Sequence, residues 1–129
     1  MVVKKSPGGS IYPYNYKGGE LFGMHLGSFF TNEAGVIDRL QKEETFVEEQ
    51  NMRLGMVFDF YQTRMTDKVI IEFIETISRL QNHITKMAIV GCSAIDRWRI
   101  NRKAKNRISL PLRYYDDQEA AKTWLVGGR

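Results

Sequence analysis

The chain of 129 residues is 43% hydrophobic and 26% charged, which is typical of one ordinary folded domain and excludes a disordered or fibrous segment. Its single cysteine excludes an intramolecular disulfide and favours a reducing, cytoplasmic compartment. The net charge of +4 is too small to indicate nucleic-acid binding, and no apolar run approaches the length of a membrane span. We expect one domain over residues 11–126, a flexible segment at 1–10 and a tail at 127–129.

The first predicted elements are a β-hairpin and an amphipathic helix. Aromatic and apolar residues at Ile11–Tyr16 and Glu20–Leu26 flank two adjacent glycines, which supply the positive φ angles of a tight turn. Capping side chains then precede apolar residues at helical spacing, which predicts a helix from near Glu33 to near Gln50. Six aromatic residues in this part of the chain are expected to cover the sheet, or else to form an exposed partner patch. They are Tyr12, Tyr14, Tyr16, Phe22, Phe29 and Phe30.

The middle of the chain predicts a β-strand, α-helix, β-strand crossover. Met56–Tyr61 is rich in strand-favouring residues, and Met87–Gly91 is apolar on both faces, as in a central parallel strand. Between them, Thr66 and Asp67 precede a long helix, with His83 near its end. Its inward stripe is predicted to be Val69, Ile70, Phe73, Ile74, Ile77, Leu80 and Ile84. The two strands should lie side by side in the same direction and open on a shared rim.

A shorter helix, an edge strand and a closing helix are predicted in the last third of the chain. The shorter helix is expected to turn Ile95, Trp98 and Ala104 inward and to carry basic residues on its other face. Pro111 cannot donate to a ladder, so the last strand should be Leu112–Tyr115 and lie at a sheet edge. The closing helix, capped by the aspartates at 116–117, is expected to bury Ala120, Ala121, Trp124 and Leu125.

Charge is distributed unevenly along the chain. Glu33–Glu49 contains six acids and two bases, whereas Arg97–Arg107 contains six bases and no acid. The basic stretch could meet phosphate, an acidic protein partner, or this protein's own acidic helix in a symmetric homodimer, and a solvated helix face is the plainest alternative. Nucleic acid is disfavoured because the bases are not interleaved with exposed aromatic residues and glycine-rich loops.

The order strand, strand, helix, strand, helix, strand, helix, strand, helix predicts an α/β fold. We expect a small mixed β-sheet with an N-terminal hairpin and βαβ crossovers, with helices packed on the sheet. This order, together with the segments Lys86–Gly91, Arg113–Asp117 and Glu119–Leu125, resembles the STAS domain and in particular its SpoIIAA-like branch, similar to the sporulation anti-anti-sigma factor. The resemblance implies a bacterial regulatory module that acts by binding other proteins and catalyses no reaction.

In anti-anti-sigma members, the resemblance implies a phosphorylated serine at the start of the helix after the third strand, within an Asp-Ser-(Ser or Thr)-Gly motif. Here the corresponding stretch, Tyr61–Asp67, contains neither serine nor glycine. Thr63 and Thr66 are the only hydroxyls positioned to act as phosphoacceptors instead. Thr66 is better explained as a helix N-cap, since threonine is a good residue for that position.

The candidate site lies where the parallel strands end, because ligands bind beyond the carboxyl ends of such strands and helix N-termini point there. The residues expected to bind a partner or ligand are Gln62, Thr63, Thr66, Cys92, Ser93 and Arg97, with Arg99 and Arg102 on the basic helix. Protein binding is the leading hypothesis. The alternative is a small apolar or anionic ligand at the same edge, and turn and cap roles alone would also account for these residue types.

Cys92 is the one candidate nucleophile, since a thiol at a helix N-terminus near Arg97 would have a stabilised thiolate. A general base is missing, because His25 falls in the second strand and His83 in the long helix. Two isolated histidines and one cysteine show none of the close spacings of zinc ligands. We therefore expect no catalysis, no metal and no cofactor.

Overall fold

A computed structural model of the protein describes residues 4–7, 11–12, 14–50 and 52–127. A two-stranded ribbon pairs β1 (Lys4–Lys5) with β2 (Ile11–Tyr12). The main sheet has the spatial order β3-β4-β5-β6-β7. Its strands are β3 (Tyr14–Tyr16), β4 (Gly19–His25), β5 (Leu54–Asp59), β6 (Ile84–Val90) and β7 (Leu112–Tyr115). The helices are α1 (Glu33–Glu48), α2 (Asp67–Leu80), α3 (Ala94–Ala104) and α4 (Gln118–Gly127).

The predicted α/β fold class, with a small mixed sheet, is confirmed. β3 and β4 form the antiparallel hairpin around Lys17 and Gly18, whose φ angles of 48° and 84° suit a tight hairpin turn. The next three strand pairs are all parallel. The two strands expected to be neighbours are so, with Phe58 opposite Ile89, and β7 lies at the predicted edge.

The start of the hairpin differs from the prediction. The hairpin was expected to begin at Ile11, but Ile11–Tyr12 pairs with β1 and the hairpin strand begins at Tyr14. A proline occupies position 13 of the sequence, and proline has no N–H for a strand ladder. Residues 1–3 and 8–10 of the expected flexible segment, and residues 128–129 of the expected tail, lie outside the described residues.

One face of the sheet is covered by α1, α2 and α3, which build the larger core. The Phe73 ring of α2 meets Phe58 and Phe60 edge to face, with ring centroids 5.0 and 4.9 Å apart. The prediction that Ile84 belongs to this helix is wrong, because α2 ends at Leu80 and Ile84 opens β6. The Ile84 side chain is buried in either case, here as a strand residue paired with β5. Apolar spacing alone does not distinguish a buried helix residue from a buried strand residue.

The prediction that Ile95 and Trp98 of α3 point into the core is also wrong. Ile95 is 71% exposed and Trp98 59%, whereas Ile100 and Ala104 are buried. At 3.6 residues per turn, Ile100 and Ala104 share one stripe of the helix, and that stripe faces the sheet and α2. Of the three residues predicted to face inward, Ala104 does so, whereas Ile95 and Trp98 lie on the outer surface.

The opposite face of the sheet is covered by α4. The strand residues facing it are Leu21, Val57, Ala88 and Val90, which pack on Ala121 and Leu125. Gly55 lets the helix approach, since a Cβ there would lie 3.0 Å from Leu125 Cδ2. Of the residues predicted to face inward, Ala120 is exposed, and Trp124 is half-buried with the Lys86 ammonium 4.6 Å from its ring centroid. Among the described residues, no helix has the length and apolar character needed to cross a membrane.

Candidate functional site

The rim at the carboxyl ends of the strands is built from loops that continue the pairing of β4 with β5. The Ser28 amide donates to the Tyr61 carbonyl over 2.6 Å, and the Phe30 amide donates to the Gln62 carbonyl over 2.8 Å. The Arg64 amide in turn donates to the Phe30 carbonyl over 2.7 Å. The two loops are thus held to each other through their main chains.

Two aromatic side chains of these loops face solvent. Phe30 and Tyr61 are each 60% exposed. Phe30 also has a φ of 51°, a left-handed conformation that is uncommon for a bulky residue. The backbone of Tyr61 packs against Gly91, where a Cβ would lie 2.7 Å from the Tyr61 nitrogen. The end of β6 therefore fits tightly under the loop that presents these rings.

The two candidate phosphoacceptor hydroxyls are engaged inside the protein. Thr63 Oγ1 donates to a main-chain carbonyl of the loop after β4 over 2.7 Å and accepts from the Phe29 amide over 3.2 Å. Thr66 Oγ1 donates to Glu33 Oε2 over 2.5 Å and accepts from the Val69 amide over 3.2 Å. Thr66 therefore caps α2 as predicted, and a phosphate on either hydroxyl would abolish the hydrogen bond that the hydroxyl donates.

The candidate thiol is buried and is not activated. Ser93 caps α3 by accepting from the Asp96 amide over 3.2 Å, and Cys92 lies just before it. Burial, with the Asp96 carboxylate nearby, raises the pKa of the Cys92 thiol to about 12. Arg97 donates to the Cys92 carbonyl over 3.2 Å and to Asp116 Oδ1 over 2.8 Å. The expectation of a stabilised thiolate is wrong, since desolvation outweighs the charge of Arg97.

Arg99 joins the N-terminal ends of α2 and α3. Its guanidinium donates to the Met65 carbonyl over 2.6 Å, to Asp67 Oδ1 over 2.6 Å and to Asp96 Oδ1 over 3.0 Å. Beside it lies a cavity of about 430 Å³, which we call the rim cavity. The rim cavity is lined by Thr63, Arg64, Met65, Thr66, Asp67, Asp96 and Arg99. Two carboxylates offset its two guanidinium groups, so the cavity is not a strongly cationic site.

A second cavity, of about 500 Å³, lies between α2 and α3 and is here called the α2–α3 groove. Its lining residues are Asp67, Ile70, Ile71, Trp98, Arg99, Arg102 and Lys103. Ile71 is 42% exposed on the α2 wall, and Trp98 faces it from the α3 wall. The Arg102 guanidinium lies over the Trp98 ring, 5.4 Å from its centroid. Of the residues proposed from the sequence, Arg99 and Arg102 lie in this groove.

A polar cluster beneath α4 was not foreseen. His25 and Asp59 are register partners at the ends of β4 and β5. Asp59 accepts from Gln118 Nε2 over 2.9 Å and from the Tyr61 amide over 2.9 Å. Burial lowers the pKa of His25, and the charge of Asp59 opposes that shift. The sequence places both residues at strand ends, but only the register of β4 against β5 brings them together.

The described part of the chain contains no group of three or more His, Cys, Asp or Glu side chains placed to hold a metal ion. Comparisons with protein-family models, with curated proteins and with solved structures gave no match. The resemblance to STAS domains stays a prediction from the sequence.

Proposed function

We propose that this protein is a non-catalytic regulatory module that binds a partner protein through the α2–α3 groove and the neighbouring rim. The resemblance to STAS domains favours a bacterial, cytoplasmic setting for this role. The observation that carries the proposal is the exposure of Ile71 and Trp98 in one groove with Arg102 beside them, and of Ile95 one turn before Trp98 on α3.

Large apolar side chains gathered at one place on a surface indicate a site that is covered by something else. Tryptophan and arginine are enriched among the residues that dominate binding energy in protein interfaces. Here the Arg102 guanidinium lies over the Trp98 ring, so both side chains are held in place before a partner arrives. Such preorganisation lowers the entropy lost on binding.

The rim adds a second, independent reason to expect a contact surface. Phe30 presents its ring to solvent from a left-handed backbone conformation that its neighbours hold through two main-chain hydrogen bonds. Backbone conformations of this kind cluster at functional sites. Because the rim cavity and the groove share Asp67 and Arg99, one partner could contact both regions.

The alternative function, binding of a small apolar or anionic ligand at the strand edge, has weaker support. The rim cavity is the space such a ligand would use, but Asp67 and Asp96 line it and Arg99 is already bound to both. Thr66 and Ser93 occupy the helix N-termini that would attract an anion. Native mass spectrometry of freshly purified protein separates the two functions, since a retained ligand adds mass.

Site-specific photo-cross-linking tests the proposal in the cells that make the protein. A benzophenone amino acid replaces Ile95 in one variant and Met52 in a control variant. Met52 is likewise an exposed apolar residue, but it precedes β5 at the opposite end of the sheet, about 20 Å from the rim. We expect a discrete cross-linked protein from position 95 and none from position 52. If the cross-linked protein disappears in the variant Trp98→Glu but not in Met52→Glu, the groove is supported as the contact surface. Identical cross-linked products from positions 95 and 52 would refute the proposal.

A further inference from the structure

We infer that the partner places an acidic amphipathic helix in the α2–α3 groove. Its apolar side chains would pack between Ile71 and Trp98, and its carboxylates would meet Arg102 and Lys103. This inference rests on the proposed function, because it names the chemistry of the partner that the same groove would bind.

The shape of the groove favours a helix. Its exposed apolar side chains come from both walls, Ile71 from α2 and Trp98 from α3, so an occupant that contacts both must lie along the space between the helices. An amphipathic helix lying in a hydrophobic groove is a common mode of peptide recognition.

The charges of the groove favour acidic residues on that helix. Three bases and one acid line it, and the single acid, Asp67, is bonded to Arg99 over 2.6 Å. Among the described residues, neither Arg102 nor Lys103 takes part in a salt bridge, and both are exposed. These two cations are therefore open to carboxylates of a partner.

The protein's own acidic helix is a poor candidate for the occupant. Glu44 is bonded to Arg79 by two hydrogen bonds, of 2.7 and 2.8 Å, and is largely buried. Glu33 accepts from Thr66, and Glu43 is buried. Three of the six acids of Glu33–Glu49 are therefore engaged or buried within the same molecule, and a fourth, Asp38, pairs with Lys42 on the same helix, which favours a different protein as the source of the acidic helix.

The groove also has a direction. On this wall Trp98 precedes Arg102 and Lys103 along α3, so these two bases lie further towards the C-terminus of the helix than the apolar anchor. Trp98 and Arg102 are about 6 Å apart along the axis. The bound helix should accordingly have its apolar anchors near the rim end and its acidic residues near the other end.

Fluorescence anisotropy with the purified full-length protein tests this inference. The probe is a labelled synthetic helix of about 15 residues, a length that permits helix formation, with leucines on one face and glutamates elsewhere. One control peptide has lysine in place of glutamate, and another has the same composition in scrambled order. We expect the acidic amphipathic peptide to bind at least about tenfold more tightly than either control.

Variants of the protein locate the binding. Trp98→Ala should weaken binding of the acidic peptide about tenfold or more, as expected for an interface anchor, while Met52→Ala should leave it unchanged. The double change Arg102→Glu with Lys103→Glu should reverse the preference, so that the lysine peptide now binds more tightly. All four side chains are exposed, so the folded structure should tolerate the changes.

Three results would overturn the inference. One is equal or undetectable binding of all three peptides; another is Trp98-dependent binding to phosphatidylserine vesicles without binding of the acidic peptide. The third is a dimer, detected by light scattering, that Trp98→Glu dissociates, because a second copy would then occupy the groove. If cross-linking at position 95 still captures a partner, the proposed function stands and only the acidic helix is refuted.

Discussion

Arg99 on α3 donates to Asp67 on α2 over 2.6 Å, and the same guanidinium donates to the Met65 carbonyl over 2.6 Å. This single side chain therefore ties α3 to the first turn of α2. The two helices form the walls of the groove, so their relative position depends on a residue that also lies in its lining.

Arg99→Met should lower the free energy of unfolding by about 1–3 kcal/mol, since the Met65 carbonyl and the half-buried Asp96 lose a charged hydrogen-bond donor. Asp67→Asn should lower it by less than about 1 kcal/mol, because the Asp67 carboxylate is largely exposed. Urea unfolding measures both. Equal effects of the two substitutions would show that the exposed ion pair, and not the carbonyl contact, accounts for the role of Arg99.

Gly91→Ala should destabilise the fold by about 2 kcal/mol or more. Gly91 has a φ of 91°, and an added Cβ would lie 2.7 Å from the Tyr61 nitrogen. Gly18→Ala is the matched control, because Gly18 has a φ of 84° but open space around it, and about 1 kcal/mol is expected there. Thermal unfolding compares the two, and a larger loss for Gly18→Ala would contradict the tight contact at the rim.

His25 should make stability fall as the pH drops below about 6.5, the ordinary pKa of histidine. Burial lowers the pKa of His25 in the folded state, helped by the charges of Lys122 and Arg39 and opposed by Asp59. The unfolded chain therefore binds more protons in this window, and protons favour unfolding until the folded state is protonated as well. Urea unfolding against pH should give a flatter curve for His25→Gln than for the natural sequence. Parallel curves would exclude His25 as the source.

Cys92 should react slowly with a thiol reagent in the folded protein. A pKa of about 12, against 9.0 for an ordinary thiol, lowers the thiolate fraction at neutral pH about a thousandfold. Reaction with Ellman's reagent should therefore accelerate strongly when urea unfolds the chain. Rapid reaction of the native protein would instead reveal an accessible, activated thiol and would reopen the question of catalysis at this residue.

The sequence predicts the sheet well because strand and helix patterns alternate strongly between residues 54 and 90. The N-cap at Thr66 and the parallel pairing of β5 with β6 follow from local chemistry and from the crossover they imply. The outer face of α3 is not predictable in the same way. Its apolar residues occur on two stripes, and the position of α3 after β6 decides that Ile100 faces inward and Trp98 outward.

The sequence predicts where the candidate site lies, but not which contacts its side chains make. The loops after β4, β5 and β6 do meet at the rim, but the hydroxyls of Thr63 and Thr66 form hydrogen bonds within the protein. Whether a basic side chain forms a salt bridge within the protein depends on distances between elements that are remote in sequence, such as that from Arg99 to Asp67. Residue type and spacing do not contain that information.

Because α4 follows the described strands in the chain, it is synthesised after them, and one face of the sheet depends on this helix for its covering. Until residues 118–127 have left the ribosome, the apolar patch of Leu21, Val57 and Ala88 lacks Ala121 and Leu125, which cover it in the folded protein. A nascent chain in that state is exposed to aggregation or to capture by a chaperone. Gly55 leaves room for Leu125, so α4 can cover this patch once the helix has emerged.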